Sequence, residues 1–343
     1  MGYNMDGLSY NSELFDSELQ YADLYQKWCW DIQILTNSGL AWKIESGTHD
    51  VCIGLIDSGI DHSHPDLRPN ILSEGRSFLP QDNSTYDKIG HGTMVAGVIC
   101  ARGRMLGLAP GIGVIPYRVF DGQSTDLNTV LLALQTAIED NVDIINLSLG
   151  SYKNYSKESQ GLFVEFRDLI SKANNKGIIV VGSAGQIETF RSKQPEYYNL
   201  IHFPGDVPGV IPVVPIDKNN NVLALPRRTG VPYYACFGGD FGPLYASEGK
   251  INVRHLCLTT YPPALPQGFA RMAGIDSGYE FMAGTSLAVG KVAAIVGLIQ
   301  CRSLKVNQRK LNKIEICGIL QECSARVKIR GYDIFTYISS LLS

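Results

Sequence analysis

The sequence predicts an α/β fold, a parallel sheet with helices on both faces, and three observations carry that prediction. Five apolar runs have the continuous character of strands covered on both sides: Val51–Asp57, Val114–Phe120, Asp143–Leu149, Gly177–Ala184 and Val210–Asp217. Segments of helical period fall between them. The stretch after Ser286 is apolar nearly all round, since only Gly290, Lys291 and Gly297 interrupt Leu287 to Ile299. A helix of that kind belongs in a core. Strand–helix alternation implies right-handed crossovers, with sites at the carboxyl ends of the strands, where Asp57 falls.

In chain order, residues 1–25 are polar, acidic and rich in turn formers, so residues 1–27 are set apart as a flexible arm from one folded domain, 28–343. Trp28, Trp30 and Trp42 mark the entry to that domain. His91, flanked by glycines in IGHGTMVAGVI, opens a helix of small residues. In 126–140, Leu127, Val130, Leu131, Leu134 and Ile138 share one face, and Ser124 to Asp126 offer caps. In 160–175, Leu162, Phe166, Leu169, Ile170 and Ala173 do the same, and Gly177 stops the helix. Residues 218–281 are rich in Gly, Pro and Tyr and read as loops around short strands such as Leu256–Tyr261. After the Ser286 helix, 308–323 and an amphipathic 331–342 read as closing helices.

Composition bounds the function. A chain of 343 residues that is 45% hydrophobic and 18% charged can bury a large core. A net charge of −3 leaves no electrostatic footprint for nucleic acid, and Lys305, Arg309, Lys310 and Lys313 read as a solvated helix face. Lys291 breaks the longest apolar run below the ~18 residues of a membrane span, so no membrane is expected. The opening MGYNMDGLSYNSELFDSELQ lacks the basic and apolar regions of a secretory signal, and with Met1 as the start the expected location is cytoplasmic. Eight cysteines are scattered without CxxC or Cys/His ligand spacing, as reduced, buried thiols would be. No cofactor and no metal are expected, and the chain is expected to be a monomer.

The chemistry gathers in three places. Asp57 ends a strand in IGLIDSGIDHSHPDL, His91 opens its helix, and Ser286 opens another after the small-residue turn Met282-Ala283-Gly284. Ser286 alone reads as a helix cap, Asp57 alone as a strand end, and His91 alone as a satisfied turn histidine. Together they are an acid, a base and a hydroxyl, each at a glycine-lined edge of an apolar element. Acyl transfer needs that set: a histidine takes the serine proton, and the acid fixes the imidazole tautomer. At a helix start, unpaired N–H groups stand ready for developing negative charge.

DSG, HPDL, GHGTMVAG, LAPG, INLSLG and GTSLA stand in the order that they have in the subtilisin-like serine proteases, the subtilases. The resemblance covers roughly residues 28–342. It implies the subtilisin-like three-layer fold, a triad of Asp57, His91 and Ser286, and a cleft lined by Ser148, Leu149 and Gly150 and by Ser183, Ala184 and Gly185. GTSLAVGKV, FGGDFGPL and LTTYPP resemble the lantibiotic leader peptidases in particular. The sequence also departs from the pattern. Gln186 stands where the family has an Asn oxyanion donor, and Gly290 stands where it has Pro, a helix-weakening change. CARGRMLG is shorter than a calcium-carrying loop, so no calcium site is carried over. Residues 1–27 are too short for the usual folding propeptide. His62 and His64 read as parts of a structural loop, while His49, His202 and His255 match nothing.

The expected function is therefore peptide-bond hydrolysis by a serine endopeptidase, with a precursor peptide as the substrate partner and its leader as the part removed. Two rival readings stand beside it: a peptide-binding pseudo-protease, for which Gln186 and Gly290 argue, and a general degradative subtilase. A lipase-type hydrolase is disfavoured, because GTSLA is not the GxSxG elbow.

Overall fold

The apolar runs form the central sheet of a computed structural model that describes residues 19–122, 125–154, 156–185, 200–224 and 232–326. The strands are β1 (Cys52–Asp57), β2 (Arg76–Ser77), β3 (Gly113–Arg118), β4 (Ile144–Leu147), β5 (Ser151–Asn154), β6 (Ile179–Ser183), β7 (Leu200–Phe203), β8 (Ile211–Ile216), β9 (Tyr234–Phe237), β10 (Cys257–Thr260) and β11 (Tyr279–Met282). Seven of them make one sheet in the order β2-β3-β1-β4-β6-β8-β9, every neighbouring pair parallel. The antiparallel pairs β10–β11 and β5–β7 stand outside it.

Alternation along each strand divides the interior into two cores. Ile53, Leu55, Ile144, Ile179 and Val181 face one, while Ile56, Ile145, Leu147 and Val180 face the other. The helices His91–Cys100 and Thr285–Asn307 fill the first core, and the helices Leu127–Glu139 and Lys157–Asn175 cover the second. The expected α/β class, with helices on both faces, is borne out.

Local chemistry sets the helix ends. Asp126 accepts from the Asn128 N–H at 3.2 Å and starts the first amphipathic helix; Ser124 lies outside the described residues. Ser156 and Ser159 form a reciprocal capping box, which starts the second helix three residues earlier than its periodicity indicates. The helix expected over 308–323 is Lys313–Arg326, because Asn312 accepts from the Ile314 and Glu315 N–H groups at 2.9 and 3.1 Å. The expected helix at 331–342 lies outside the described residues.

The Ser286 helix is buried from Leu287 through Ser303. Among the described residues it is the one helix long and apolar enough to cross a membrane, and 94% of its apolar window is buried within the protein. Its glycines serve packing. A Cβ on Gly290 would lie 3.1 Å from Val95 and 3.2 Å from Val98 of the His91 helix, so the missing Pro marks a close approach of the two helices. A Cβ on Gly297 would run into Ile112 at 2.4 Å.

The amino-terminal boundary needs correction. Part of the expected arm, from residue 19 onward, is folded. Helices Asp23–Trp28 and Trp30–Thr36 bury Leu24, Tyr25, Trp28, Ile32 and Leu35 in the first core. Each helix is shorter than two turns and breaks at Cys29, so no period is long enough to read from the sequence.

Candidate active site

Asp57 is the last residue of β1, paired with Arg118 of β3 and buried. Its Oδ1 accepts from the Ser58 N–H and from His91 Nδ1, both at 2.7 Å. His91 is the first residue of its helix, and the glycines beside it allow the approach. Gly90 has φ +99°, and a Cβ there would lie 2.1 Å from the Tyr261 ring. A Cβ on Gly92 would meet the Gly59 carbonyl at the same distance, 2.1 Å. The helix start is thus seated directly on the end of β1.

His91 Nε2 lies 2.9 Å from Ser286 Oγ. Because Nδ1 donates to Asp57, Nε2 is the bare acceptor of the neutral ring, and the serine hydroxyl donates to it. The Ser148 carbonyl, 3.1 Å from the same Oγ, offers that proton a second acceptor. Burial pulls the imidazole pKa down, but the charge and hydrogen bond of Asp57, with Asp87 behind them, outweigh it and leave His91 above the ordinary histidine value. Ser286 is the second residue of the helix Thr285–Asn307, where the first-turn N–H groups have no acceptor within the helix.

Several supporting groups were not singled out from the sequence. Buried Asp87 accepts from the Ile89 and Gly90 N–H groups at 3.0 and 2.8 Å, from the Thr93 N–H at 2.9 Å, and from the hydroxyls of Thr93 and Ser58 at 2.7 and 2.9 Å. Its carboxylate holds the amino end of the His91 helix and matches the local dipole. Ser58 Oγ in turn accepts from the Gly92 N–H at 2.8 Å. Asn146 Nδ2 donates to Ser148 Oγ at 2.8 Å, and Ser148 Oγ donates to the Ser286 carbonyl at 2.9 Å. An acid four residues before the histidine was the available signal for Asp87.

The two expected cleft segments lie side by side. Ser183 Oγ donates to the Leu149 carbonyl at 2.8 Å. A Cβ on Gly150 would lie 2.7 Å from His202 Nε2, and one on Gly185 would lie 2.7 Å from His202 Cγ. His202, unmatched in the sequence, is therefore a buried ring between Gly150 and Gly185. Its Nδ1 accepts from the Gly205 N–H at 3.2 Å, and Tyr152 packs on it at 4.7 Å. Ala184 is buried beside it. Gln186 lies outside the described residues. The other histidines stand apart. His64 binds the Gly278 carbonyl at 2.7 Å, His62 meets Thr85 at 2.9 Å, His49 meets Asn70 at 3.0 Å, and His255 meets Asp240 at 3.1 Å.

Asp66, next to the short CARGRMLG segment, accepts from the Arg104 and Met105 N–H groups at 3.3 and 2.9 Å and from the Tyr279 hydroxyl at 2.9 Å. Among the described residues no group of three His, Cys, Asp or Glu is placed to hold a metal ion. The site offers a hydroxyl nucleophile, a base in line with it, and a carboxylate that orients the base.

A sequence model described as the subtilase family matches residues 48–316. The chain is 34% identical over 176 residues to the nisin leader peptide-processing serine protease of Lactococcus lactis subsp. lactis, which covers 46% of this chain and 26% of that protein. It is 27% identical over 297 residues to the epidermin leader peptide-processing serine protease of Staphylococcus epidermidis, covering 78% of this chain and 64% of that protein. The matched stretches thus span about a quarter and just under two thirds of these curated relatives. A crystal structure of a lanthipeptide protease superposes with a TM-score of 0.80 at 27% identity, covering 93% of this chain and 97% of that one. With the family pattern extending over most of the described chain, this protein belongs to the subtilase family.

Proposed function

We propose that this chain is a serine endopeptidase that removes the leader from a lanthipeptide-type precursor peptide. The observation that carries the reading is the unbroken line from Asp57 through His91 to Ser286, with contacts of 2.7 and 2.9 Å. Ser286 Oγ attacks the scissile carbonyl as His91 Nε2 takes its proton; His91 then gives that proton to the leaving amine, and Asp57 holds the ring and its transient charge. The Ser286 N–H and the Gln186 carboxamide are the groups we assign to the oxyanion. The likeness to nisin, epidermin and lanthipeptide proteases supports the substrate class.

A cytoplasmic location is part of the same proposal. It is supported by free thiols at Cys29, Cys52, Cys100, Cys236, Cys257, Cys301 and Cys317, and fractionation of producing cells tests it.

The direct test combines a fluorophosphonate probe with a dehydrated, ring-closed precursor peptide. Wild type is expected to label at Ser286 and to cut once, at the leader boundary, while Ser286→Ala does neither. Labelling without precursor cleavage, together with broad digestion of unfolded casein, would replace this reading with a degradative protease; no labelling would leave a peptide binder. Gln186→Ala is expected to lower kcat by ~10²–10³ with little change in KM, a figure taken from oxyanion-donor removal in a subtilisin. Full activity in that variant would remove Gln186 from the mechanism.

A further inference from the structure

Lys291 is the charged residue within the apolar run Leu287 to Ile299 of the Ser286 helix, and the hydrolytic chemistry does not use it. It stands five residues after Ser286 and is fully buried. Its Nζ lies 2.5 Å from Asp31 Oδ2, which is equally buried, and donates to the Phe237 carbonyl at 2.8 Å. Cys257 Sγ is 3.4 Å away. Burial pulls the ammonium pKa down, but the Asp31 carboxylate more than restores it, so the lysine stays charged.

Asp31 belongs to an amino-terminal strap, the helices Asp23–Trp28 and Trp30–Thr36, and the strap touches three elements near the nucleophile turn. Trp30 Nε1 donates to the Leu256 carbonyl at 2.8 Å, and its ring meets Phe237 edge-on at 5.2 Å. Trp28 packs edge-on against Phe281 at 5.3 Å. These are the end of β9, the residue before β10, and β11. Gly238, next after Phe237, accepts the Gly284 N–H at 2.9 Å. A Cβ on Gly238 would lie 2.8 Å from the Gly284 carbonyl, so the two backbones are in direct contact. Gly284 is two residues before Ser286.

We infer that Asp31 and Lys291 are positioning residues for peptide hydrolysis: their buried pair clamps the Phe237–Gly238 strand end to the Ser286 helix and so fixes where the nucleophile turn sits. The inference rests on the reading of Ser286 as the nucleophile. Stability alone does not call for this pair, since apolar residues of similar volume commonly replace a buried ion pair without loss. What such residues lack is the donor to Phe237. A displacement on the order of 1 Å at a reacting group costs up to ~10² in rate.

The test compares full-length wild type with the double variant Asp31→Leu/Lys291→Met, by thermal midpoint, kcat, KM and fluorophosphonate labelling rate. The expected result is a midpoint within a few degrees of wild type, kcat down roughly ten- to hundredfold, KM within about twofold, and labelling slowed in proportion. A folded double variant with wild-type kcat would overturn the inference. If the double variant does not fold, Trp30→Phe decides, because it keeps an aromatic ring beside Phe237 while removing the hydrogen bond to Leu256. A loss of kcat of about two- to fivefold at unchanged KM supports the clamp, and wild-type kcat sinks it. Wild type that neither labels nor cleaves would instead defeat the underlying nucleophile assignment.

Discussion

Asp57 acts on His91 through both position and charge, and one substitution separates the two. Asp57→Asn keeps a side chain of the same shape but removes the charge that raises the imidazole pKa. The base must be neutral at Nε2 to accept the Ser286 proton, so the acid limb of kcat/KM follows the His91 pKa. With the largest raising cause gone and only Asp87 left to oppose burial, that limb is expected to move to lower pH. At its plateau kcat is expected to fall by ~10⁴, since the carboxamide favours the wrong tautomer. A limb that stays in place would mean that another group controls the profile. The shift has a stability consequence as well. A histidine whose folded pKa lies above its unfolded value contributes stability that is complete below the unfolded pKa and is lost as pH rises through the folded one. The stability difference between wild type and Asp57→Asn should therefore be larger at pH 5 than at pH 9, as read by denaturant unfolding.

The His91 helix is held at its amino end by Asp87, whose carboxylate oxygens face donors throughout. Asp87→Asn would turn an N–H₂ toward some of those donors. We expect a loss of about 1–3 kcal/mol by denaturant unfolding, the cost of buried hydrogen-bonding groups left unpaired, together with a lower kcat as His91 loses its fixed origin. Unchanged stability would show that Thr93 and Ser58 suffice. This contrast marks what the sequence makes legible. Strands are legible because burial on both faces writes itself as an unbroken apolar run, and Asp57, His91 and Ser286, which the structure brings within hydrogen-bond distance of one another, stand out because each sits where such a run meets glycine. Asn146 acts through a hydroxyl that no local pattern announces, and Asp87 acts through backbone amides and hydroxyls with only its spacing, four residues before His91, as a signal. His202 is visible only as the ring that Gly150 and Gly185 leave room for, and that requires β5 and β7 already paired. The strap is hidden in the sequence for a simpler reason: two helices of 6 and 7 residues are too short to show a period.

At the scale of the molecule, the strap supplies a wall of the first core rather than a covering over a finished one. Leu24, Tyr25, Trp28, Ile32 and Leu35 are all buried there, 0–8% exposed. At ~1.5–3 kcal/mol for each large side chain, their burial amounts to on the order of 10 kcal/mol as an upper figure. A domain's entire net stability is ~5–15 kcal/mol, so the remainder of the chain has little prospect of folding without them. Losing the strap would also leave the Lys291 ammonium buried without Asp31, which is more damaging than lacking both. Two truncations test this. Removing residues 1–18, which are polar and acidic in sequence, is expected to leave the thermal midpoint within a few degrees of wild type. Removing residues 1–36 is expected to abolish cooperative unfolding, as followed by near-ultraviolet circular dichroism. Extending that second truncation with Lys291→Met separates the two causes: if cooperative unfolding returns, the unpaired charge was the greater fault, and if it does not, the missing apolar wall was. A cooperative transition near the wild-type midpoint in the plain 1–36 truncation would show that the strap packs on a core already complete without it.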